Sequence, residues 1–264
     1  MVKQSVLSLS GGMDSTSLLL KLLEGRDIIV HTVSFDYGQK HKIELNCVDT
    51  ILEYLRGEGF SITHKLVDLT SLSSLLFSSL TTENKETPEG YYAEDNMKET
   101  VVPNRNAIFS SIIYGYALSI ATMSNMDVQI SLAVHQGDHN IYPDCRVGFF
   151  NTLARAFQIG NWGSERVSHY LPYIDKNKTD ILREAYTNCE RLSLDFDFIF
   201  RNTNTSYSPL PDGRSEGKTG ADVERIIAFH ELGRPDPFQY TEPWEVVLAN
   251  ALRVEENYYK KQKN

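Results

Sequence analysis

A glycine pair between two apolar runs constrains the fold of this chain more than any other feature. The run Ser5–Leu9 has the length and composition of a buried strand, and Thr16–Leu23 has those of a helix that ends near Gly25. Because glycine has no Cβ, Gly11 and Gly12 allow a tight turn in which backbone N–H groups converge, and the start of the next helix adds unpaired N–H groups. The stretch therefore predicts an anion-binding loop at the carboxyl end of the first strand of an α/β fold.

This loop is not the common Gly-x-x-x-x-Gly-Lys-Ser/Thr phosphate loop. The Gly-Lys-Thr sequence at 217–219 has Asp212 where that motif requires glycine. Residues 10–15 read Ser-Gly-Gly-Met-Asp-Ser and resemble the PP-loop of the N-type ATP pyrophosphatases, which cleave ATP between its α and β phosphates. A serine- and glycine-rich turn without a ligand is the alternative, and the strand–loop–helix context disfavours it.

Composition narrows the class of protein. The chain has 264 residues, of which 41% are hydrophobic and 23% charged, which is typical of a soluble globular protein with one large core. The net charge of −9 disfavours binding to long nucleic acids but leaves a local site for a small anion such as ATP. The absence of an uninterrupted apolar run of about 18 residues and of a signal peptide predicts a cytoplasmic protein without a membrane span. Three widely separated cysteines agree with a reducing compartment.

Strand and helix patterns alternate along the chain, which predicts a parallel five-stranded sheet with helices on both faces. After the first strand and helix, we predict strands at Ile28–Phe35, Ile62–Leu69, Val128–Val134 and Tyr170–Ile174, and helices at His41–Arg56, from an Asn106 cap onward, at Val147–Phe157, Lys178–Cys189 and Ala221–Leu232. Residues 70–100 form a long polar excursion. We expect a PP-loop domain at 1–200 and a C-terminal extension at 201–264.

The unusual polar residues follow predicted strands. In an open parallel sheet, ligands bind beyond the carboxyl ends of the strands. Residues 10–15, 36–39 and 135–138 all fall there. We therefore expect one site that holds ATP and a second substrate.

Four further stretches resemble one family of PP-loop proteins. They are Ser-Phe-Asp-Tyr-Gly-Gln-Lys-His at 34–41, Val-Pro-Asn-Arg-Asn at 102–106, Tyr-Pro-Asp-Cys-Arg at 142–146 and the helix that begins at Lys178. Together they resemble the 7-cyano-7-deazaguanine synthase (QueC) family over about residues 6–237. The resemblance implies activation of 7-carboxy-7-deazaguanine with ATP and Mg²⁺, amide formation with ammonia, dehydration of the amide to a nitrile, and a homodimeric assembly.

The resemblance also assigns roles by position. Its ATP-binding set is Ser10, Gly11, Gly12, Asp14, Ser15, Ser34, Phe35, Arg105 and Lys178, of which Ser10, Asp14, Ser15, Arg105 and Lys178 are also the expected catalytic residues. Its deazaguanine-binding set is Tyr37, Gln39, Asp138, Tyr142, Asp144 and Arg146. A carboxylate accepts two N–H groups from a guanine edge, and an arginine pairs with a substrate carboxylate. A solvated helix start is the alternative for Lys178, and Cys145 stays unassigned between packing and a nucleophilic role.

The chain departs from the family pattern near its C-terminus, where the family carries four zinc-binding cysteines. Ser206, Glu216, Thr219 and Asp222 stand at those positions. Hydroxyls and carboxylates are poor substitutes for thiolates at a structural zinc site, so we expect no zinc. The segment must instead be held by hydrogen bonds, by a partner chain or by helix capping, for which Asp222 is the candidate.

Two more departures from the family pattern lie in the part of the expected site that would bind the second substrate. Asn104 replaces the family's glycine, and residues 135–137 also differ. QueC-like proteins of bacterial antiphage operons, of the CBASS and Qat kinds, resemble ligases that join a deazaguanine carboxylate to a protein amine. The acceptor therefore stays open between ammonia and an amine of an operon-neighbour protein. A tRNA-modifying PP-loop enzyme and an inactive nucleotide-binding partner protein are the competing functions.

Overall fold

The computed structural model describes residues 4–25, 27–39, 42–82 and 86–263. Its strands are β1 Gln4–Ser8, β2 Ile29–Asp36, β3 Ile62–Asp68, β4 Val128–Ser131 and β5 Val167–Tyr170. Its α-helices are α1 Met13–Glu24, α2 Ile43–Gly57, α3 Arg105–Ser124, α4 Val147–Gly160, α5 Lys178–Leu192, α6 Phe196–Arg201, α7 Gly220–Leu232 and α8 Trp244–Gln262. Short 3₁₀ turns occupy Thr70–Leu75, Asp95–Thr100, Gln136–Asn140, Pro143–Cys145 and Ser164–Arg166.

The five strands form one parallel sheet in the order β3-β2-β1-β4-β5, which confirms the predicted fold class. Val6 of β1 lies opposite His31 of β2 on one side and Ile130 of β4 on the other. The chain runs outward from β1 to β3 and then returns to place β4 beside β1. The carboxyl ends of β1 and β4 thus form the switch point at which ligands bind in sheets of this kind.

Successive residues of β1 supply two separate cores. Leu7 faces a core shared with α1, α2 and α5, whereas Val6 faces a core shared with α3 and α4. Side chains alternate between the two faces of a strand, and both faces are covered here, so β1 is an uninterrupted buried run. Leu18, Leu19 and Leu20 of α1 are all fully buried, because α1 lies between the sheet and other helices.

Several predicted boundaries are wrong for local reasons. The fifth strand is Val167–Tyr170 rather than Tyr170–Ile174, because the chain turns directly after it. The fourth strand ends at Ser131, where its pairing with β5 ends. Asn106 is not the cap of α3, which begins at Arg105. The predicted start of the second helix at His41 lies outside the described residues.

The cap of α3 is Asn104, in the left-handed conformation at φ 58°. Glycine adopts this conformation freely, and asparagine is among the residues that tolerate it best. The replacement of the family's glycine by Asn104 therefore keeps the same entry of the chain into α3.

The C-terminal region contains a helix that the sequence patterns did not predict. In α8, Val247 and Ala251 pack against Val223 and Ile226 of α7. In turn, α7 places Phe229 in the core behind α5 and α6. The division of the chain at residue 200 stays a prediction, although the two parts share this core.

Among the described residues, α3 is the one helix long and apolar enough to cross a membrane. In the folded chain it packs against β1, β4 and β5. Its first residue, Arg105, also lines the cavity described below. These contacts place α3 against one face of the sheet.

Candidate active site

A cavity of about 260 Å³ opens at the carboxyl ends of β1, β2 and β4. It is lined by eleven of the predicted site residues: Ser10, Gly12, Asp14, Ser15, Phe35, Tyr37, Gln39, Arg105, Asp138, Tyr142 and Lys178. These residues come from five separate stretches of the sequence. The structure therefore brings most of the predicted ATP and substrate residues into one site.

The loop between β1 and α1 forms the floor of this cavity. Gly11 has φ 83°, and a Cβ there would overlap the carbonyl oxygen of Glu44, so both its conformation and its surroundings require glycine. The hydroxyls of Ser10 and Ser15 lie 3.0 Å apart, and the N–H of Gly12 donates to Ser10 Oγ. The loop thus presents N–H and hydroxyl groups at the start of α1, where the helix dipole favours an anion.

A segment far along the sequence holds the loop in place. The N–H of Asn204 donates to the carbonyl of Gly11 at 3.0 Å. Thr205 Oγ1 accepts from the N–H of Met13 at 3.4 Å. The loop conformation therefore depends on residues 204–205 as well as on its own glycines.

Lys178 lies in a group of carboxylates at one end of the cavity. Its side chain is 5% exposed, and Nζ lies 3.3 Å from Asp14 Oδ2 and 2.9 Å from Glu224 Oε2. Burial alone would lower the pKa of the Lys178 ammonium, but these two carboxylates raise it above its usual value. Lys178 is therefore a fixed cation in the cavity, and the alternative of a solvated helix start is wrong.

His135 lies between two of the carboxylates. Its Nε2 is 3.7 Å from both Asp14 Oδ2 and Asp138 Oδ1, and its side chain is 2% exposed. Its Nδ1 accepts a hydrogen bond from the N–H of Gly137, which leaves Nε2 to carry the proton of the neutral ring. His135 therefore lies beside both the Asp14 and the Asp138 carboxylates.

Asp14 has a free oxygen that fits a magnesium ion. Its Oδ1 is buried and has no hydrogen-bond partner among the described residues. The described part of the chain contains no group of three or more His, Cys, Asp or Glu side chains that could hold a metal ion. Mg²⁺ commonly binds through one or two carboxylates together with phosphates and water, and the Asp14 carboxylate fits that mode.

A chain of tyrosines forms another part of the cavity wall. The hydroxyl of Tyr142 lies 3.2 Å from that of Tyr207, which lies 3.3 Å from that of Tyr92. Tyr92 then donates to Asp138 Oδ1 at 2.9 Å. The guanidinium of Arg105 lies 5.8 Å from the centre of the Tyr142 ring, within cation–π distance. This wall combines a cation, three hydroxyls and a carboxylate, which suits a flat, polar ring bearing an anionic group.

Four predicted residues do not line the cavity. Gly11 lies behind the loop, and the hydroxyl of Ser34 donates to the carbonyl of Leu9, which ties β2 to β1. Asp144 Oδ2 accepts from the N–H of Asn106 in the first turn of α3. Arg146 is exposed, and its Nε donates to the carbonyl of His139. The roles predicted for these residues stay predictions.

The surroundings of Phe35, Gln39 and Cys145 bear on their predicted roles. Phe35 stacks on Phe109 with ring centres 4.0 Å apart at the end of β2. Gln39 uses its amide to close the turn after β2, with Nε2 donating to the Phe35 carbonyl at 3.2 Å.

Burial strongly raises the pKa of the Cys145 thiol, so this cysteine is a poor nucleophile at neutral pH.

Sequence reasoning missed Tyr92, Tyr207, Glu224 and Glu44. Tyr92 lies in the polar excursion and Tyr207 in the turn-rich stretch before α7, where periodicity gives no signal. Glu224 lies in the predicted helix α7, but its position in that helix does not reveal that it reaches Lys178. Glu44 lines the cavity from the first turn of α2. Burial raises the pKa of its carboxyl to about 7, although the Arg105 guanidinium lowers it.

A hydrogen-bond network occupies the part of the chain where the family has zinc ligands. Asp222, 1% exposed, accepts from Ser206 Oγ at 3.0 Å, from Ser215 Oγ at 2.9 Å and from Thr219 Oγ1 at 2.6 Å. The N-cap of α7 is Thr219, and Asp222 is its partner in a capping box, so Asp222 contributes to the cap but is not itself the cap residue. The Glu216 side chain is outside the network and pairs with Lys218.

Sequence comparisons relate this chain to one protein family. A family model for the queuosine biosynthesis protein QueC matches residues 4–233. A 7-cyano-7-deazaguanine synthase from Methanoregula boonei is 40% identical over 237 residues, which cover 90% of this chain and 99% of that protein. The protein of the same name from Hahella chejuensis is 39% identical over 240 residues, covering 90% of this chain and 93% of that protein.

Solved structures are more distant. The U34-tRNA thiolase NcsA from Methanococcus maripaludis superposes with a TM-score of 0.42 at 14% identity, covering 96% of this chain and 72% of that chain. A likeness of that degree says nothing about function. The family match and the close relatives, in contrast, span the loop, the cavity and α7, and on that evidence the chain belongs to the QueC family of queuosine biosynthesis proteins.

Proposed function

We propose that this chain is an ATP-dependent carbon–nitrogen ligase that adenylates the carboxylate of 7-carboxy-7-deazaguanine and transfers the acyl group to a nitrogen nucleophile. One observation carries the proposal. The loop at residues 10–15, which includes Asp14, lies in the same cavity as Lys178. The family match and relatives named 7-cyano-7-deazaguanine synthase support the same conclusion.

In the first step, a carboxylate oxygen of the substrate attacks the α-phosphorus of ATP, and the bond from that phosphorus to the β-phosphate oxygen breaks. The products are an acyl-adenylate and pyrophosphate. The loop N–H groups and hydroxyls hold the departing pyrophosphate, and the buried Lys178 ammonium offsets negative charge on the α-phosphate. Mg²⁺, held through the free oxygen of Asp14, would supply further neutralisation of the phosphates.

In the second step, the nitrogen nucleophile attacks the acyl carbon, AMP leaves, and the nitrogen loses a proton to give an amide. Adenylation of the amide oxygen by a second ATP, followed by loss of AMP and of the two N–H protons, then gives the nitrile. The deazaguanine base is proposed to lie against the tyrosine wall, with Asp138 accepting hydrogen bonds from its amino edge. Holding both substrates in one cavity supplies the proximity that the reaction requires.

The reaction is tested by incubating the protein with ATP, Mg²⁺ and 7-carboxy-7-deazaguanine, with and without ammonia. We expect pyrophosphate in both cases, and AMP together with an amide or nitrile product by mass spectrometry when ammonia is present. ADP and phosphate as the sole nucleotide products would contradict adenylation. Elemental analysis of the same preparation is expected to give far less than one zinc per chain.

A protein amine is a second candidate acceptor. Asp14 and Glu224 both lie beside the Lys178 ammonium, so carboxylates outnumber ammonium groups at this end of the cavity and attract cationic amines. Its test is a deazaguanine mass increment on a protein encoded beside this one, dependent on ATP and lost in a variant of the loop. Efficient nitrile synthesis from ammonia with no such adduct would assign the ordinary family reaction.

A further inference from the structure

We propose that Glu224 is a positioning residue that holds the Lys178 ammonium in the cavity during adenylation. Glu224 lies on the first turns of α7, outside the cavity lining, and no motif singles it out. Its role would be to act through Lys178 rather than to touch ATP. The inference rests on the proposed function, because it assumes that Lys178 neutralises charge on the α-phosphate.

The geometry makes Glu224 the nearer of two partners. Lys178 Nζ lies 2.9 Å from Glu224 Oε2 and 3.3 Å from Asp14 Oδ2. The ring of Tyr92 covers the ammonium at 6.0 Å. A lysine that is 5% exposed cannot exchange these partners for bulk water, so the carboxylates determine where its charge lies.

The two partners have different tasks once ATP binds. Asp14 is on the nucleotide loop, and its free Oδ1 fits Mg²⁺. Glu224 approaches Lys178 from another helix and is not on the loop. Asp14 must therefore serve the metal and phosphates, whereas Glu224 keeps the ammonium anchored as those groups arrive.

The residues on either side of Glu224 in the sequence fix the backbone of α7. Asp222, two residues earlier, fixes the start of α7 through its network with Ser206, Ser215 and Thr219. Arg225, one residue later and 1% exposed, donates to Asp236 and to the Phe200 carbonyl. The network in the former zinc segment thus sets the position of Glu224.

The loop at residues 135–138 leaves room for the Glu224 carboxylate. A Cβ at Gly137 would lie 2.5 Å from Glu224 Oε1. Glycine at 137 therefore allows Glu224 to pass beside this loop and reach Lys178.

The test compares Glu224→Gln with Glu216→Gln, which removes a carboxylate from the same segment but from an exposed pair with Lys218. For Glu224→Gln we expect kcat for AMP release to fall on the order of tenfold or more, with KM for ATP changed less than about threefold. Glu216→Gln should match the wild type in both constants, and thermal unfolding should show that each variant is folded. Glu224→Asp, which keeps the charge but shortens the side chain, should give an intermediate kcat.

A double-mutant cycle shows whether Glu224 acts through Lys178. In a Lys178→Met background, Glu224→Gln should cause no further loss of kcat. Independent, multiplicative losses would overturn the proposal, as would an unchanged kcat in Glu224→Gln. If the wild type and Glu216→Gln release no AMP, the proposed adenylation itself has failed, which separates the two ideas.

Discussion

Asp14 divides its two carboxylate oxygens between different tasks. Oδ2 faces Lys178 and His135, whereas Oδ1 is buried and lacks a hydrogen-bond partner among the described residues. An unpaired buried carboxylate oxygen costs free energy, and the Mg²⁺ ion proposed above would offset that cost. One residue at the start of α1 therefore lies between the proposed metal position and Lys178.

Replacing Asp14 by Ala should abolish the release of AMP and pyrophosphate. The change removes the metal-facing oxygen and one of the two partners of Lys178, and we expect at least a roughly hundredfold loss of rate. Chromatographic separation of the nucleotides after incubation with ATP and substrate provides the measurement. Substantial AMP release by the variant would show that Asp14 is not the metal-binding residue.

Glu44 predicts a pH dependence of stability. Burial raises the pKa of its carboxyl from 4.5 to about 7, so between these values the folded chain holds a proton that the unfolded chain releases. The contribution of this group to stability is therefore lost as the pH rises from about 4.5 to about 7, by at most about 3 kcal/mol. Denaturant unfolding at pH 5 and pH 8 should show a smaller difference for Glu44→Gln than for the wild type. An equal difference in both proteins would exclude this role.

At the scale of elements, α7 and the segment before it are held by hydrogen bonds where the family pattern uses a metal. The Asp222 carboxylate accepts hydrogen bonds from the side-chain hydroxyls around it, and Asp222 is also part of the capping box of α7. Arg225 then ties α7 to residues 200–205 and to Asp236. Because Asn204 and Thr205 hold the nucleotide loop, this network supports the site from behind.

Asp222→Ala should destabilise the protein by about 2–4 kcal/mol, since it leaves several buried donors without an acceptor and removes one partner of a helix capping box. Glu216→Gln, at another family ligand position, should change stability by less than about 0.5 kcal/mol. Denaturant titration of both variants provides the comparison. Equal effects would mean that the network does not carry the stability of this segment.

The sequence predicted the elements whose patterns are regular. The apolar runs of β1, β2 and α1 and the glycines at 11 and 12 were sufficient to predict a parallel sheet and its nucleotide loop, since local periodicity and turn chemistry determine both. Tyr92, Tyr207 and Glu224 could not be found in this way. Tyr92 and Tyr207 come from irregular segments and Glu224 from the predicted helix α7, and the proximity of all three depends on how these parts pack over the sheet. The pKa of Glu44 likewise depends on burial, which spacing along the chain does not reveal.

At the scale of the whole molecule, apolar side chains remain exposed at the ends of α3 and α4. Met123, Ile159 and Trp162 are 88%, 71% and 99% exposed. Exposed large apolar groups are common at interfaces between proteins. They agree with the homodimer expected from the family resemblance, and we propose this end of the molecule as its contact surface.

Light scattering after gel filtration should give twice the mass of one chain for the wild type. Trp162→Lys should shift the protein toward the monomer, because it places a charge where an apolar contact is expected. Ser119→Lys, on the exposed side of α3 but less apolar, serves as a comparison and should have a smaller effect. A wild-type monomer at all concentrations would rule out the dimer.

The position of β4 beside β1 has a consequence for biosynthesis. Ser5 and Ser131 share a hydrogen bond across 126 residues. At a ribosomal elongation rate of roughly 5–20 residues per second, β1 must wait roughly 6–25 seconds before its β4 partner is synthesised. Lys178 and Glu224 are synthesised later still, so the nascent chain acquires the loop at residues 10–15 long before it acquires the lysine that is proposed to act on the phosphates and the carboxylate beside that lysine. Contacts between residues so distant in sequence slow folding, and chaperone protection of the exposed edge of β1 is expected to matter most during that interval.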